Sequence, residues 1–257
     1  TPYQAPQNWL DQYAGISDPL RRAYAAQVSA MDAQVGRVVA ALDKRGMRGD
    51  TLIIFHSDNG GTRSNMFAGE AAVKGDLPPQ NTPFRDGKGT LYEGGVRVGA
   101  IANWPGHIKP GRAEGMFHVV DMLPTLAAVA GVPVTGGKPL DGMNVWNAIG
   151  SNTPSPRDKV VLNVELTQGS VRDGDWKLVW LTPLPGAIQL FNLALDPGES
   201  NDGAAANPAK VKALQDQVIA LAKEMQPPLF AAEALRSVLS NPPVFGGAKP
   251  AGAHGED

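Results

Sequence analysis

The sequence predicts an α/β fold, part of a mixed or parallel sheet sandwiched by helices, followed by a small α+β subdomain of short antiparallel strands and one helix. Three observations carry this. A long amphipathic helical pattern runs into a short apolar, β-branched run at 51–56; Gly, Pro, Ser and Asn accumulate at 136–156; and strand-like segments beyond that point precede one more helical pattern. Helix, short loop and buried strand make one α/β repeat, whereas strands followed by a helix suit an α+β unit. The expected organisation is a main α/β domain over 1–150, the small subdomain over 151–230 and an irregular tail over 231–257.

Residues 1–17, with scattered aromatics, prolines and glycines, read as an irregular lead-in. Asp18-Pro19 has the form of an N-cap followed by proline at the first helical position. From there Leu20, Tyr24, Val28, Met31, Val35, Val38, Val39 and Leu42 recur at three- and four-residue spacing, which predicts a long helix ending near Gly46. Thr51-Leu52-Ile53-Ile54-Phe55-His56 has the character of a strand buried on both faces of a parallel sheet. Residues 60–89 are too polar and too rich in Gly, Pro and Asn for regular structure, and loops of that length tend to be functional. Strand character returns at 96–104, a turn cluster follows at 105–111, and 119–130 reads as a short helix closed by Gly131. In the second part, 160–166, 169–180 and 188–193 read as short strands, with turns at Arg172-Asp173-Gly174-Asp175 and Thr182-Pro183. Asn207-Pro208 starts a helix whose Val211, Leu214, Val218, Leu221 and Met225 share a face.

The 257 residues, 42% hydrophobic, suffice for a sizeable core. With 23 Lys+Arg against 25 Asp+Glu there is no global basic field to bind nucleic acid or an anionic membrane, so any anion recognition has to be local. No stretch approaches the roughly 20 apolar residues that span a bilayer. The absence of cysteine excludes disulfides, thiolate metal sites and cysteine nucleophiles, and leaves the compartment open.

The chemistry concentrates in 51–110. Asp58 and Asn59 would sit just past the carboxyl end of the strand, where open α/β sheets place ligands. A carboxylate beside an amide oxygen suits Ca²⁺ or Mg²⁺. Alone, Asp58-Asn59-Gly60-Gly61 would read as an ordinary turn; the strand before it and the lysine motif behind it favour a site. Lys88 lies between Gly87 and Gly89, where missing side chains would let an oxyanion approach both backbone and ammonium, and a lysine holds a sulfate or phosphate oxygen as a compact charge. Glu93 and Arg97 suit a structural ion pair that holds the loop. His56 suits a core histidine better than a group behind Asp58, and His118 suits a tie between its helix and the neighbouring elements.

These residues resemble the sulfatase family of the alkaline-phosphatase superfamily, arylsulfatases in particular. The matching text is Ser57-Asp58-Asn59-Gly60; 83–97, PFRDGKGTLYEGGVR; 104–111, WPGHIKPG; 118–125, HVVDMLPT; 139–142, PLDG; 171–178, VRDGDWKL; and 190–199, LFNLALDPGE. The resemblance spans roughly 1–225. It implies that Asp58 and Asn59 bind a divalent cation, usually Ca²⁺, and that Lys88 contacts the sulfate of a small-molecule or glycan sulfate ester. It also implies a nucleophile, a formylglycine made from Cys or Ser in a C/S-x-P-x-R signature, together with two further metal aspartates and another Lys and His. None of these is in the sequence, and Thr153-Pro154-Ser155-Pro156-Arg157 is only a superficial echo. In the family a histidine commonly stands just before a Thr-Pro like Thr1-Pro2. The expectation is therefore a C-terminal portion of an arylsulfatase-like enzyme, inactive alone and completed by the N-terminal part of the same enzyme. A periplasmic, secreted or lysosomal-type compartment follows from the resemblance only.

Three rivals remain: a phosphatase or phosphonate hydrolase of the same superfamily, an N-terminal nucleophile hydrolase using Thr1, and a non-catalytic binding protein that keeps the fold. The Gly87-Lys88-Gly89-Thr90 block favours sulfate over the first, and Pro2 argues against the second.

Overall fold

The computed structural model describes residues 3–63, 77–162, 168–181 and 187–224. The expected end of the first strand of the small subdomain at 163–166, the turn at Thr182-Pro183, Met225 and the tail at 231–257 lie outside the described residues. The chain divides into two compact units, Thr1–Val218 and Ile219–Asp257. In the second, residues 219–222 end a helix and 223–224 form a turn.

The lead-in is not wholly irregular. Gln7–Gln12 forms a short helix, α1, held on the next helix by Arg22 Nε donating to Leu10 O at 2.9 Å and by a 2.5 Å hydrogen bond between Tyr13 Oη and Ser29 Oγ. Helix α2 spans Pro19–Lys44, with the Asp18 carboxylate accepting from Arg21 N at 2.9 Å and proline at the start, as the sequence pattern requires. It ends at Gly46, whose φ of 66° a residue with a Cβ would resist. Its expected apolar stripe meets a core at its start, where Leu20 packs with Tyr3 against buried Leu77, but Val28, Met31, Val35 and Val38 are exposed.

After a 3-10 turn at Arg48–Asp50, strand β1 (Ile53–His56) pairs antiparallel with β2 (Ala100–Asn103), in register from Ile53 opposite Asn103 to His56 opposite Ala100. The expected parallel, doubly buried strand is therefore corrected. Among the described residues β1 has one partner, and Phe55 and His56 are exposed. The apolar run is real, but nothing described covers its second face. Helix α3 (Glu93–Val96) is one turn. Helix α4 (Met122–Val129) follows a 3-10 turn at Val119–Asp121 and closes at Gly131, φ 67°, as expected. Helix α5 (Trp146–Ser151) lies in the stretch at 136–156 where Gly, Pro, Ser and Asn accumulate.

The second sheet holds β3 (Lys159–Leu162), β4 (Gln168–Asp173), β5 (Trp176–Leu181) and β6 (Ala187–Asn192), antiparallel and in chain order. The segment expected at 169–180 is two strands, divided at Gly174, φ 59°, within the turn expected at Arg172-Asp173-Gly174-Asp175. Period-two alternation gives the sheet two faces. Val171, Leu178 and Leu190 pack on one face with Leu214 of helix α6 (Pro208–Ala222), joined by Trp176, Trp180, Val211 and Val218. Burying each such side chain contributes about 1.5–3 kcal/mol. On the other face Val179, Phe191 and Leu193 pack against Leu91 and Tyr92. The small sheet thereby forms the floor beneath the loop that carries Lys88.

Candidate functional site

Asp58 and Asn59 leave the end of β1 in a turn in which Ser57 Oγ donates to Asn59 O at 2.8 Å and Asn59 N to Asp58 Oδ1 at 3.0 Å. Asp58 is exposed and Asn59 half-buried. The amide Nδ2 of Asn59 donates to Gly60 O at 2.9 Å; among the described residues its Oδ1 accepts no hydrogen bond. A carboxylate and an amide oxygen thus stand together, a donor pair that fits a hard divalent cation. Among the described residues no group of three or more His, Asp or Glu gathers around a common point.

The next two residues tie this turn to the lysine loop. Gly60 N donates to Gly95 O at 2.9 Å, and Lys88 N to Gly61 O at 3.2 Å. Asn81 closes the arrangement from the side: its Oδ1 accepts from Gly61 N at 2.9 Å, and its Nδ2 donates to Gly61 O at 2.8 Å and Asp86 O at 2.7 Å. Gly94 N donates to Arg85 O at 2.8 Å, folding the loop back on itself. The structure therefore brings the Asp58-Asn59 turn and the Lys88 loop into one backbone-bonded unit, with Lys88 half-buried.

The glycines are needed for close approach. A Cβ on Gly60 would meet Gly94 O at 1.7 Å, and one on Gly87 would meet Gly61 O at 2.2 Å. The missing side chain of Gly87 thus makes room for neighbouring backbone, which corrects the expectation that it makes room for an oxyanion. Gly89 has φ 88°, a left-handed conformation that suits glycine. A polar cavity of about 260 Å³ opens beside the loop, lined by Arg63, Gln80, Asn81, Thr82, Phe84 and Asp86.

Arg85 lies over the Tyr92 ring, 3.9 Å from its centroid, and Tyr92 Oη donates to Gln189 Oε1 at 2.6 Å. Burial pushes the Tyr92 hydroxyl up from its ordinary value, against the Arg85 guanidinium. The expected Glu93–Arg97 pair is present at 3.6 Å. Glu93 is nevertheless engaged more closely by Lys177, whose Nζ lies 2.9 Å from Glu93 Oε1 and 2.9 Å from Glu199 Oε1. Burial pushes the Glu199 carboxyl up, with Lys177 acting the other way.

His56 is exposed, with Nδ1 3.0 Å from Ser57 O, so the core-histidine expectation is corrected. His118 closes its own turn, where a tie to neighbouring elements was expected: its Nδ1 accepts from Val120 N at 3.3 Å, while Asp121 Oδ2 accepts from His118 N at 2.9 Å. The tie to neighbouring elements runs through Asp121, which accepts from Met143 N and Arg157. Arg157, from the superficial signature echo, grips Asp121 with Nε 2.8 Å from Oδ2 and a second bond from Nη2 to Oδ1. Asn81, Lys177 and Glu199 were missed by sequence reasoning. A lone lysine inside the apolar run Trp176-Lys177-Leu178-Val179 was the signal for one of them.

The residue pattern of the Sulfatase family matches residues 1–132. The chain belongs to the sulfatase family. Among curated sulfatases it is 30% identical to "Arylsulfatase J" of Mus musculus over 208 residues, covering 78% of this chain and 33% of that protein. It is 39% identical to "Arylsulfatase A" of Homo sapiens over 130 residues, covering 51% of this chain and 24% of the relative. Among solved structures, that of Ps i-CgsB in complex with k-i-k-neocarrahexaose aligns with a TM-score of 0.78 and 30% identity, over 95% of this chain and 53% of that one. This sulfatase chain thus spans about a third or less of the length of the two curated relatives.

Proposed function

We propose that this chain supplies part of the active site of a sulfate-ester hydrolase, with Lys88 holding the sulfate and Asp58 and Asn59 holding a divalent cation, Ca²⁺ or Mg²⁺. One observation carries the reading: direct backbone hydrogen bonds, Gly60 to Gly95 and Lys88 to Gly61, lock the oxygen-donor turn to the lysine loop. An oxygen pair for a hard cation and an ammonium for an anion then belong to one rigid unit, as hydrolysis of an anionic ester requires. The bound cation would supply Lewis-acid stabilisation of charge on the ester oxygens.

The chain's own residues bind and orient. Lys88 offsets negative charge on a sulfate oxygen, Asn81 keeps the loop from spreading, and the polar cavity beside Arg63 and Gln80 offers hydrogen-bonding room for the alcohol part of the ester. The oligosaccharide carried by the structural relative supports a glycan sulfate as substrate. The nucleophile, expected to be formylglycine, and the remaining cation ligands belong to a segment outside this sequence. Among the described residues, the cation site with two donors and the exposed apolar faces of α2 and of the β1–β2 sheet support that reading.

Calorimetric titration of Ca²⁺ into this chain, and into a version extended to the length of its relatives, tests it. Tight binding confined to the extended chain and abolished by Asp58→Ala is the expected result. If neither version binds, Asp58 and Asn59 form a structural turn only. Turnover of an aryl phosphate above the aryl sulfate by the extended chain would move the assignment to phosphoryl chemistry.

A further inference from the structure

The three motif runs at 83–97, 171–178 and 190–199 meet in a buried charge cluster. Lys177 of β5 and Glu199 are each 0% exposed and Glu93 is 3% exposed. Lys177 Nζ stands 2.9 Å from a carboxylate oxygen of each glutamate, and the second oxygen of Glu199 accepts from Glu93 N at 2.5 Å. Arg97 and Arg172 approach Glu93 from the cluster's edge at 3.6 and 3.8 Å. Buried ion pairs seldom add net stability over an apolar packing of the same shape. Overall stability is therefore a weak reason for three ionisable groups here, and geometry is a better one.

Geometry points to the Lys88 loop. Glu199 grips that loop on both sides of Lys88: its side chain takes the Glu93 N–H, and its carbonyl accepts from Arg85 Nη1 at 3.2 Å. It does so from φ 53°, a left-handed conformation unfavourable for a residue with a side chain. Gly198, next to it, packs so closely that a Cβ would lie 3.0 Å from Pro83 O. Lys177 projects from the sheet face that also carries Val179, while Trp176 and Leu178 point to the opposite face, toward α6.

We propose that Lys177, through Glu93 and Glu199, is a positioning residue for Lys88: the small sheet sets the placement of the anion-binding loop by a buried charge clamp. The proposal rests on the assignment of Lys88 as the sulfate-binding residue, but the clamp can be tested without turnover. Native-state amide hydrogen exchange is followed on the full 257-residue chain and on the charge-free triple variant Lys177→Met, Glu93→Gln, Glu199→Gln, with inorganic sulfate titrated into each. The expected result is exchange of the Lys88 N–H at least tenfold faster in the variant, with the Leu178 N–H in the sheet unchanged and sulfate affinity lowered. Unchanged exchange at Lys88 overturns the clamp. Equal acceleration at Lys88 and Leu178 also overturns it, since the cluster would then serve stability alone. If sulfate binds neither protein while Lys88 exchange responds as expected, the sulfate assignment fails and the clamp stands. Should the triple variant not fold, Glu199→Gln, which leaves the Lys177–Glu93 pair intact, is expected to accelerate Lys88 exchange in the same selective way, and no change there overturns the proposal.

Discussion

Two glycines show why a residue's surroundings decide its role. Gly60 lies where a methyl group would sit 1.7 Å from Gly94 O, whereas a Cβ on Gly36, exposed on α2, would meet nothing within 4 Å. Gly60→Ala is expected to cost about 1–3 kcal/mol or more through forced backbone shifts, and to misplace Lys88. Gly36→Ala is expected to add up to about 1 kcal/mol of helix stability. Urea unfolding of both variants checks the pair, and equal effects would refute the close-approach argument. Lys88→Ala removes a half-buried side chain whose backbone bonds remain. It is expected to shift stability by no more than about 0.5 kcal/mol, while lowering kcat/KM for an aryl sulfate in the extended enzyme by roughly 10²–10³. Lys88 was visible in the sequence because its flanking pattern is specific. Asn81 was not, because its importance lies in three hydrogen bonds to backbone atoms that only the folded loop brings within reach.

At the scale of elements, the tie between the α4 entry and the stretch before β3 carries the pH dependence. Burial raises the Asp121 carboxyl, but the Arg157 hydrogen bonds, the N–H groups of Met143 and His118 and the Arg157 charge outweigh it and hold the group below its ordinary value. A carboxyl depressed in the folded state contributes stability above its unfolded pKa, about 4, that is lost as pH falls through the lower folded value. His118 is held down first by burial and then by Arg157, against Asp121. Its contribution is full above an unfolded pKa of about 6.5 and falls as pH drops from there through the folded value. Thermal melts at pH 7, 5 and 3 are therefore expected to show a stability loss from pH 7 to 5 that His118→Gln flattens. Asp121→Asn is expected to cost about 3–5 kcal/mol at pH 7 by leaving Arg157 unpaired, and to flatten the loss below pH 4. A variant with unchanged pH slopes would remove the corresponding group from the account. Local signals announced most elements: the Asp18-Pro19 cap, the Gly46 and Gly131 stops and the β5–α6 patterns. The short helices α1, α3 and α5 escaped because four to six residues carry too little periodicity to show a face.

At the largest scale, the telling feature is apolar surface that no described residue covers. Val28, Met31, Val35 and Val38 line one face of α2, and Phe55 and Ile101 form an exposed cross-strand pair. Apolar surface of this kind marks a contact face. The 257-residue chain is expected to bind an apolar fluorescent dye and to self-associate in sedimentation. Val35→Glu with Val38→Lys should suppress both with little change in melting temperature, and a monodisperse chain that binds no dye would refute the uncovered-face reading. By itself the sequence determined the family, singled out Asp58-Asn59 and the Lys88 loop as a candidate site, and set the starts of α2 and α6 and the glycine stops of α2 and α4, because caps, glycine turns and side-chain chemistry act within a few residues of chain. Only the tertiary structure decided that β1 pairs antiparallel, that glycine gaps let the turn and the loop share backbone bonds, and that Lys177, Glu93 and Glu199 meet beneath that loop. Those outcomes depend on contacts between residues up to 106 positions apart, and no local pattern encodes which distant groups will share a buried space.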